Sequence, residues 1–249
     1  MGKSILWVFL AFLLLFKTAG AEELTVITEK SPPFNFVEKG VLTGSSTEVV
    51  REILRRLNLP DNIKVLNWAR GYNLALTKPN IVLFSTTRTE DRENLFHWVG
   101  PIFKVRFGFY AKKGSGIRLN TLEDAKKIGS IATYKDDVKE QLLKAKGFTN
   151  LDSSKSPVSN LKKLISGRVA LWLFDNLGVP LVARQIGIDP DDVELVLPFQ
   201  DRYSYIAISK NTPETVVEEW QQTLDGMKRD GTFEQISRKW LPQESIPGF

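Results

Sequence analysis

Residues 81–92 read IVLFSTTRTEDR, an apolar run followed by consecutive hydroxyl side chains and then by two arginines. The apolar run 81–84 predicts a buried strand, and residues 89–92 predict the first turn of a helix. Hydroxyls, free backbone amides and a guanidinium then meet where the strand ends and the helix begins. Such a junction is suited to holding a small anion, and we expect a carboxylate.

The same residues also fit a purely structural interpretation. Thr87 and Glu90 match the spacing of a capping box, and Thr89 matches an N-cap. The two arginines fit ion pairs with neighbouring acids on a solvated surface, where such pairs contribute little to stability. From this segment alone, anion binding and helix capping both stay open.

The N-terminus has the pattern of a secretory signal peptide. Lys3 precedes twelve apolar residues, 5–16, and Ala19-Gly20-Ala21 supplies a small-residue cleavage pattern. The apolar core is short for a bilayer span, and an uncleaved anchor is the alternative. We therefore expect a signal peptide over 1–21, cleavage after Ala21 and a periplasmic protein. Since the chain has no cysteine, we expect no lipid anchor.

Composition restricts the chemistry further. The 249 residues contain no cysteine and one histidine, His97, which lies among apolar residues and is expected to be packed rather than catalytic. Disulfides and thiolate metal sites are excluded, and we expect no metal and no cofactor. Removing 1–21, with two lysines and no acid, lowers the formal net charge from +5 to +3. No polybasic run is present, so we expect no nucleic-acid partner.

Strand and helix patterns alternate along the remainder of the chain, which predicts an α/β protein with mainly parallel sheets. Ser45 and Glu48 predict a capping box at the first helix, and Thr121 and Asp124 predict another. The segments 193–197 and 205–209 read as two separate strands. The glycine-rich segment 112–116 is the best internal boundary and indicates two lobes. A ligand is expected at the carboxyl ends of strands or between the lobes.

A series of motifs then follows in a fixed order: Pro32-Pro33-Phe34-x-Phe36, Gly44, Trp68-x-Arg70, Ser85-x-Thr87-Arg88-Thr89-x-x-Arg92, Gly100-Pro101, Leu164-x-x-Gly167-Arg168 with Asp175, and Asp230-Gly231-Thr232-Phe233. In this order, behind a signal peptide, the chain resembles the bacterial extracellular solute-binding proteins of family 3, the amino-acid-type periplasmic binding proteins. The resemblance covers nearly all of the mature chain.

The resemblance implies a two-lobed periplasmic binding protein fold of type II, with the ligand cleft between lobes that two crossing strands join. Lobe 1 would comprise 22–110 and 205–249, and lobe 2 would comprise 111–204. The implied protein is a monomer without a cofactor. Its partners would be a small-molecule ligand, an amino acid or another small carboxylate, and the membrane permease of an ABC importer.

The resemblance also implies roles for individual residues. Arg92 matches the arginine that grips the α-carboxylate in relatives that bind amino acids, and Ser85 and Thr87 match the hydroxyls that help it. Asp175 matches the aspartate that holds the α-ammonium. A planar guanidinium suits a carboxylate, and a carboxylate suits an ammonium. Without the resemblance, Asp175 fits an N-cap equally well.

Five further residues are candidates for the ligand site. Phe34 and Phe36 match aromatic residues that wall the pocket in relatives, with core or rim packing as the alternative. Trp68 and Arg70 fit packing and an ion pair as well as ligand contact. Tyr134, after a predicted strand, is expected to face either the cleft or water.

Three departures from the family pattern fall near the expected site. Residues 78–80 read Lys-Pro-Asn where relatives often have Gly-x-x-Asp. Ala170 stands where relatives often have aspartate. Residues 133–135 read Thr-Tyr-Lys where relatives place a glycine followed by a small hydroxyl residue. The lobe-2 half of the pocket therefore differs from the common pattern.

Three functions compete at this point. The leading one is a non-enzymatic binding protein that delivers a small polar solute to an ABC importer. The second is a dehydratase-like enzyme on the same fold, which needs an acid and a base beside the substrate; only Glu48 and Asp175 are candidates. The third is a sensory ligand-binding module without a transporter.

Overall fold

The computed structural model describes residues 24–247. The predicted signal peptide and its cleavage site lie outside these residues. Ten strands are described: β1 Thr25–Thr28, β2 Phe36–Glu38, β3 Val41–Thr43, β4 Lys64–Val65, β5 Ile81–Thr87, β6 Phe96–Lys112, β7 Ile131–Tyr134, β8 Leu151–Ser154, β9 Leu171–Asp175 and β10 Val193–Ser209. The α-helices within this part of the chain are α1 Ser45–Arg56, α2 Trp68–Thr77, α3 Leu122–Lys127, α4 Val138–Ala145, α5 Pro157–Ile165, α6 Gly178–Gln185, α7 Glu214–Arg229 and α8 Thr232–Arg238.

Eight strands form one mixed sheet in the order β4-β1-β5-β10-β6-β9-β7-β8, and β2 and β3 form a separate hairpin. The two ends of the sheet are parallel, as the alternation of strands and helices predicts. The middle is antiparallel, which the expectation of mainly parallel sheets missed. The reason is that β6 and β10 run against each other along their whole length.

The strands β6 and β10 are 17 residues each and connect the two lobes. One half of β10, from Ser204 to Ile208, pairs with β5. At the other end of the two long strands, Phe107 to Tyr110 of β6 pair with β9. The architecture is therefore the two-lobed α/β fold with two crossing strands. The exact division into 22–110 with 205–249 and 111–204 stays a prediction.

Alternation along single strands builds the core of each lobe. In β5, Val82 and Phe84 pack with α1 and α7, whereas Ile81 and Leu83 pack with Trp68 and Ala75 of α2. Successive side chains of a strand point to opposite faces, so a continuous apolar run buries both faces. The strand β9 does the same in lobe 2, where its alternate residues enter two different clusters. These cores hold the carboxyl ends of β5 and β9 in place.

Three local predictions differ from the structure. The segment after β5 is a 3₁₀ helix, Glu90–Leu95, without a side-chain cap at Thr89, because β6 begins at the next residue and leaves no room for an α-helix. The predicted capping box of Thr87 with Glu90 is absent, since Thr87 is still part of β5. The segments 193–197 and 205–209 belong to one continuous strand, β10.

The start of α1 corrects a fourth prediction. Its N-cap is Gly44, and Ser45 makes no capping hydrogen bond. The backbone N–H groups of Ser46 and Thr47 instead donate to the Phe34 carbonyl at 2.9 and 3.2 Å. Gly44 has a φ of 114°, and a Cβ there would lie 2.5 Å from the Phe34 oxygen. By contrast, the capping box of Thr121 with Asp124 is confirmed.

Within residues 24–247, no helix combines the length and the apolar character that crossing a membrane would need.

Candidate functional site

A small cavity of about 70 Å³, called the inner cavity below, lies between the two lobes. Residues at or just after the carboxyl ends of β1, β5, β7 and β9 form much of its wall. This is the position where open α/β sheets bind ligands. The side chains that matter most for its chemistry are Glu29, Phe34, Trp68, Ser85, Thr87, Arg92, Tyr134, Asp137, Lys139 and Asp175.

Arg92 is the most deeply buried cation of the inner cavity, with only 1% of its surface exposed. Its Nη1 donates to the Thr87 carbonyl at 3.3 Å, and its Nη2 donates to Gln141 Oε1 at 2.9 Å. Its Nε is buried without an acceptor in the described structure. A guanidinium has five N–H donors, so Arg92 keeps capacity for an anionic ligand.

Two aromatic rings hold the Arg92 guanidinium in place. Its central carbon lies 4.9 Å from the ring centre of Tyr72 and 5.3 Å from that of Trp68. Such cation–π contacts restrain the orientation of the planar guanidinium. Burial lowers the pKa of Arg92, and the neighbouring Tyr72 and Asp137 oppose that shift. Arginine stays charged because its unperturbed pKa is so high.

Ser85 and Thr87 both line the inner cavity at the end of β5. The pairing of β5 with β10 slips by one residue at Ser85, which has a φ of +63° and forms a bulge. Ser85 Oγ donates a hydrogen bond to Asn35 Oδ1. Asn35, fully buried, donates in turn to the Glu29 carbonyl at 2.5 Å. The bulge and Asn35 therefore orient the hydroxyl side of the cavity.

Asp175 ends β9 and faces the inner cavity from lobe 2. Its Oδ1 accepts a hydrogen bond from the Gly178 backbone N–H at 2.7 Å, at the start of α6. Burial raises the pKa of Asp175, while Lys139 and the Gly178 amide oppose the shift. The N-cap interpretation of Asp175 is therefore wrong, because Leu177 is the N-cap of α6. Asp175 supports the first turn of α6 from two residues earlier, and its side chain borders the cavity.

Asp137 and Lys139 form a buried ion pair on the lobe-2 wall that the sequence reading missed. Asp137 Oδ1 lies 2.7 Å from Lys139 Nζ and also accepts the Lys139 backbone N–H, which caps α4. The ammonium lies 4.9 Å from the Phe107 ring centre and 5.3 Å from that of Phe174. The position of Asp137 shortly after β7 is the signal that could have found it.

Glu29 is the second acid that the sequence reading missed, although it directly follows β1. Its Oε2 accepts a hydrogen bond from the Tyr134 hydroxyl at 3.0 Å. Burial raises the pKa of Glu29 to about 8, and repulsion by Asp137 acts in the same direction. Tyr134 and Lys139 act against that shift. Tyr134 therefore faces the cleft, one of the two orientations expected for it.

The charges of the inner cavity are mixed rather than of one sign. Asp137 and Lys139 neutralise each other, which leaves two cations, Arg92 and the exposed Lys30, with the two acids Glu29 and Asp175. A group with both a carboxylate and an ammonium matches this arrangement. No group of three or more metal-ligating side chains occurs within residues 24–247.

Three hydrogen bonds join the lobes around the inner cavity. The bonds run from Trp68 Nε1 to the Asp136 carbonyl at 2.9 Å, from Tyr134 OH to Glu29 Oε2 at 3.0 Å and from Arg92 Nη2 to Gln141 Oε1 at 2.9 Å. Trp68 and Arg92 thus connect the lobes as well as line the cavity.

The aromatic candidates separate into two places. Phe34 is buried, stacks on Phe103 with ring centres 3.7 Å apart and lines the inner cavity. Phe36 lies further out, edge-on to Trp240 at 5.7 Å. Arg70 is exposed on α2 and does not line the inner cavity, whereas Trp68 two residues earlier is buried.

A wide groove of about 930 Å³, called the outer groove below, continues from the inner cavity toward solvent. Both lobes contribute to it. Its walls include Lys30, Pro32, Phe36, Val37, Leu66, Tyr134, Lys155, Pro157, Leu181, Val182, Lys239 and Trp240. Phe36 therefore belongs to the outer groove.

The acid and base proposed for an enzyme do not meet. Glu48 lies outside the inner cavity, where its carboxylate accepts from Lys239 Nζ at 3.0 Å and from Trp240 Nε1 at 2.9 Å. Asp175 lies on the cavity wall. Glu48 and Asp175 are therefore not a catalytic pair. Arg88 also lies outside the cavity and pairs with Glu93.

The sequence model of the bacterial extracellular solute-binding proteins, family 3, matches residues 24–243. The chain belongs to this family. This family 3 protein is 27% identical over 232 residues to the L-cystine-binding protein TcyA of Bacillus subtilis, a match that covers 89% of the chain and 82% of that protein.

One further relative and one solved structure are also similar to the chain. A probable amino-acid ABC transporter-binding protein of Haemophilus influenzae is 24% identical over 219 residues, covering 84% of the chain and 80% of that protein. The solved structure of a histidine kinase sensor domain with similarity to periplasmic binding proteins superposes with a TM-score of 0.81 at 18% identity. That match covers 92% of this family 3 chain and 99% of the sensor domain, and it shows the fold.

Glu29→Gln is expected to make this family 3 protein more stable at high pH and to leave its stability unchanged near pH 5. Glu29 has a higher pKa in the folded protein than in the unfolded chain, so the folded state binds more protons between about pH 4.5 and 8. Stability therefore falls as pH rises through this window. Above pH 8 we expect the free energy of unfolding of Glu29→Gln to exceed that of the unmodified protein by about 1 to 2 kcal/mol. This figure is smaller than the full pKa shift would give, because the Glu29 side chain is partly exposed to solvent.

The measurement is the Tm of both proteins at pH 5, 6, 7, 8 and 8.5. Glutamine keeps an oxygen that accepts from the Tyr134 hydroxyl, so the variant removes only the charge. Glu38→Gln, on the exposed β2–β3 hairpin, is the matched control and should follow the unmodified protein. Parallel Tm curves for Glu29→Gln and the unmodified protein would rule out this electrostatic role.

Proposed function

We propose that this protein binds a small amino acid or related carboxylate between its two lobes, outside the cytoplasm, and delivers it to the permease of an ABC importer. One observation carries the proposal: the inner cavity gathers a buried guanidinium from lobe 1 and buried carboxylates from lobe 2 around a space of about 70 Å³. Arg92 would bind the ligand carboxylate, with Ser85 and Thr87 beside it, and Asp175 would bind the ammonium.

Arg92 and Asp175 carry opposite charges and come from different lobes, which explains how a zwitterion would favour closure. A carboxylate held by Arg92 and an ammonium held by Asp175 would connect lobe 1 to lobe 2 through the ligand. A ligand that carries only one of the two groups would make only one of these connections. The names of the relatives, which include binding proteins for cystine and for amino acids, support this ligand class and a non-enzymatic role.

A thermal-shift screen of residues 22–249 tests the proposal. The ligands are the standard L-amino acids, L-cystine, L-ornithine, polyamines and organic acids. A ligand at 100 times its Kd adds about 2.7 kcal/mol by mass action. For a protein of this size we expect a rise in Tm of about 5 to 10 °C for at least one amino acid. A screen in which no amino acid raises the Tm would refute the proposal.

Delivery to an importer is tested separately in cells. Deleting the gene should abolish high-affinity uptake of the ligand that the screen identifies, and the unmodified gene should restore it. Unchanged uptake, together with tight binding by the purified protein, would instead favour a sensory module.

A further inference from the structure

We propose that the ligand is longer than a simple amino acid and ends in an acidic group. Its amino-acid head would fill the inner cavity, and its remainder would lie in the outer groove with the acidic end near Lys30 and Lys155. This inference rests on the proposed function and names the substrate class of the same site.

The sizes of the two spaces support this division. The inner cavity holds about 70 Å³, so most of the free volume of the cleft lies outside it. The outer groove, measured in the same way, holds about 930 Å³.

The two spaces are continuous. They share six wall residues: Glu29, Lys30, Pro32, Tyr134, Pro157 and Val182. Pro32 belongs to lobe 1, and Pro157 begins α5 in lobe 2, so the passage between the spaces runs between the lobes. A ligand anchored in the inner cavity can therefore extend outward without leaving the cleft.

The walls of the outer groove are suited to an apolar chain. Phe36 and Trp240 contact each other edge to face at 5.7 Å on the lobe-1 side. Val37 beside them has 42% of its surface exposed, although it is apolar. Leu181 faces the groove from lobe 2. An aliphatic chain laid between these side chains would remove apolar surface from water on both sides.

The charges of the outer groove favour an acidic end. Apart from Glu29, which the groove shares with the inner cavity, its charged wall residues are all lysines. Lys239 is paired with Glu48 at 3.0 Å. Lys30 and Lys155 are exposed, and within residues 24–247 neither has an ion-pair or hydrogen-bond partner. Because they come from opposite lobes, an anion between them would also favour closure.

The test uses two probes with the same eight-carbon skeleton. L-2-aminosuberate carries a carboxylate at the end of its side chain, and L-2-aminooctanoate ends in a methyl group. Their Kd values are measured by titration calorimetry, together with that of L-alanine, on residues 22–249 and on the variant Lys155→Gln. Lys78→Gln, an exposed lysine outside the groove, is the matched control.

We expect aminosuberate to bind about 10-fold more tightly than aminooctanoate and more tightly than alanine. Lys155→Gln, at a lysine that lines the outer groove but not the inner cavity, should lose much of this preference and keep its affinity for alanine, and Lys78→Gln should change neither. The preference should also shrink at high salt, since exposed charges are screened.

Equal affinity for the two eight-carbon probes, or a preference that is unchanged in Lys155→Gln, would overturn the inference. Alanine binding as tightly as aminosuberate would also overturn it while leaving the proposed function intact. Failure of all three probes to bind would overturn the inference as well, whereas the proposed function is tested by the amino-acid screen.

Discussion

Arg92→Ala is expected to weaken amino-acid binding by about 100-fold or more. A charge-assisted hydrogen bond contributes about 1.5 to 3 kcal/mol, and Arg92 would supply two such bonds to a carboxylate. The variant also leaves the ligand carboxylate without a counter-charge in a cavity that contains Glu29 and Asp175. The measurement is the Kd of the best amino acid from the screen.

The burial of Arg92 requires a second variant, because alanine also removes the packing against Trp68 and Tyr72. Arg92→Lys keeps the charge and most of the side-chain volume but cannot bind a carboxylate through two parallel bonds. We expect a loss of about 10- to 100-fold for lysine, with a normal circular dichroism spectrum. Arg88→Ala, outside the inner cavity, is the control. Unchanged affinity in Arg92→Lys and Arg92→Ala would refute the carboxylate role.

Asp175→Asn is expected to discriminate between ligands by their ammonium group. L-alanine and L-lactate share a carboxylate and differ in whether an ammonium or a hydroxyl stands beside it. We expect the variant to weaken alanine by about 10- to 100-fold and lactate by less than about threefold. The reason is that a buried carboxylate stabilises an ammonium, whereas a neutral amide does not.

Asparagine preserves the second role of Asp175. Its Oδ1 still accepts the Gly178 backbone N–H, so the first turn of α6 keeps this hydrogen bond. Asp152→Asn, which breaks an ion pair with Lys163 away from the cavity, serves as the control. Equal losses for alanine and lactate, or no loss for either, would contradict the ammonium-binding role of Asp175.

The local patterns of the sequence predict the strand and the cation of lobe 1. Four consecutive apolar residues require burial on both faces of a strand, and β5 is buried in this way. Arg92, five residues after Thr87, follows at the strand's carboxyl end. These relations hold within a dozen residues, so the sequence alone contains them.

Other local signals predict the wrong partner. Ser45 and Glu48 have the spacing of a capping box, but the Phe34 carbonyl takes over the first amides of α1. Glu48 pairs instead with Lys239 and Trp240, about 190 positions along the chain. A capping motif indicates only which hydrogen bonds are possible within a few residues. Here the Phe34 carbonyl replaced the Ser45 hydroxyl as acceptor, and Lys239 and Trp240 became the partners of Glu48.

The acidic half of the cavity depends on the tertiary structure. Glu29 follows β1, and Asp137 follows β7, without any motif that links them. They approach each other because β6 and β10 cross between the lobes and set the strand ends of lobe 1 against those of lobe 2. The burial and the nearby Asp137 that raise the pKa of Glu29 both belong to this region between the lobes.

The amino-acid sequence alone therefore determines the α/β class, the buried strand β5 and the cation at its end, because these follow from periodicity and short-range spacing. The tertiary structure decides what faces Arg92: the buried ion pair of Asp137 with Lys139, the carboxyl of Glu29 and a groove that continues outward past Tyr134. Opposing charges and cavity size are properties of two surfaces brought together, and no single stretch of sequence contains both surfaces.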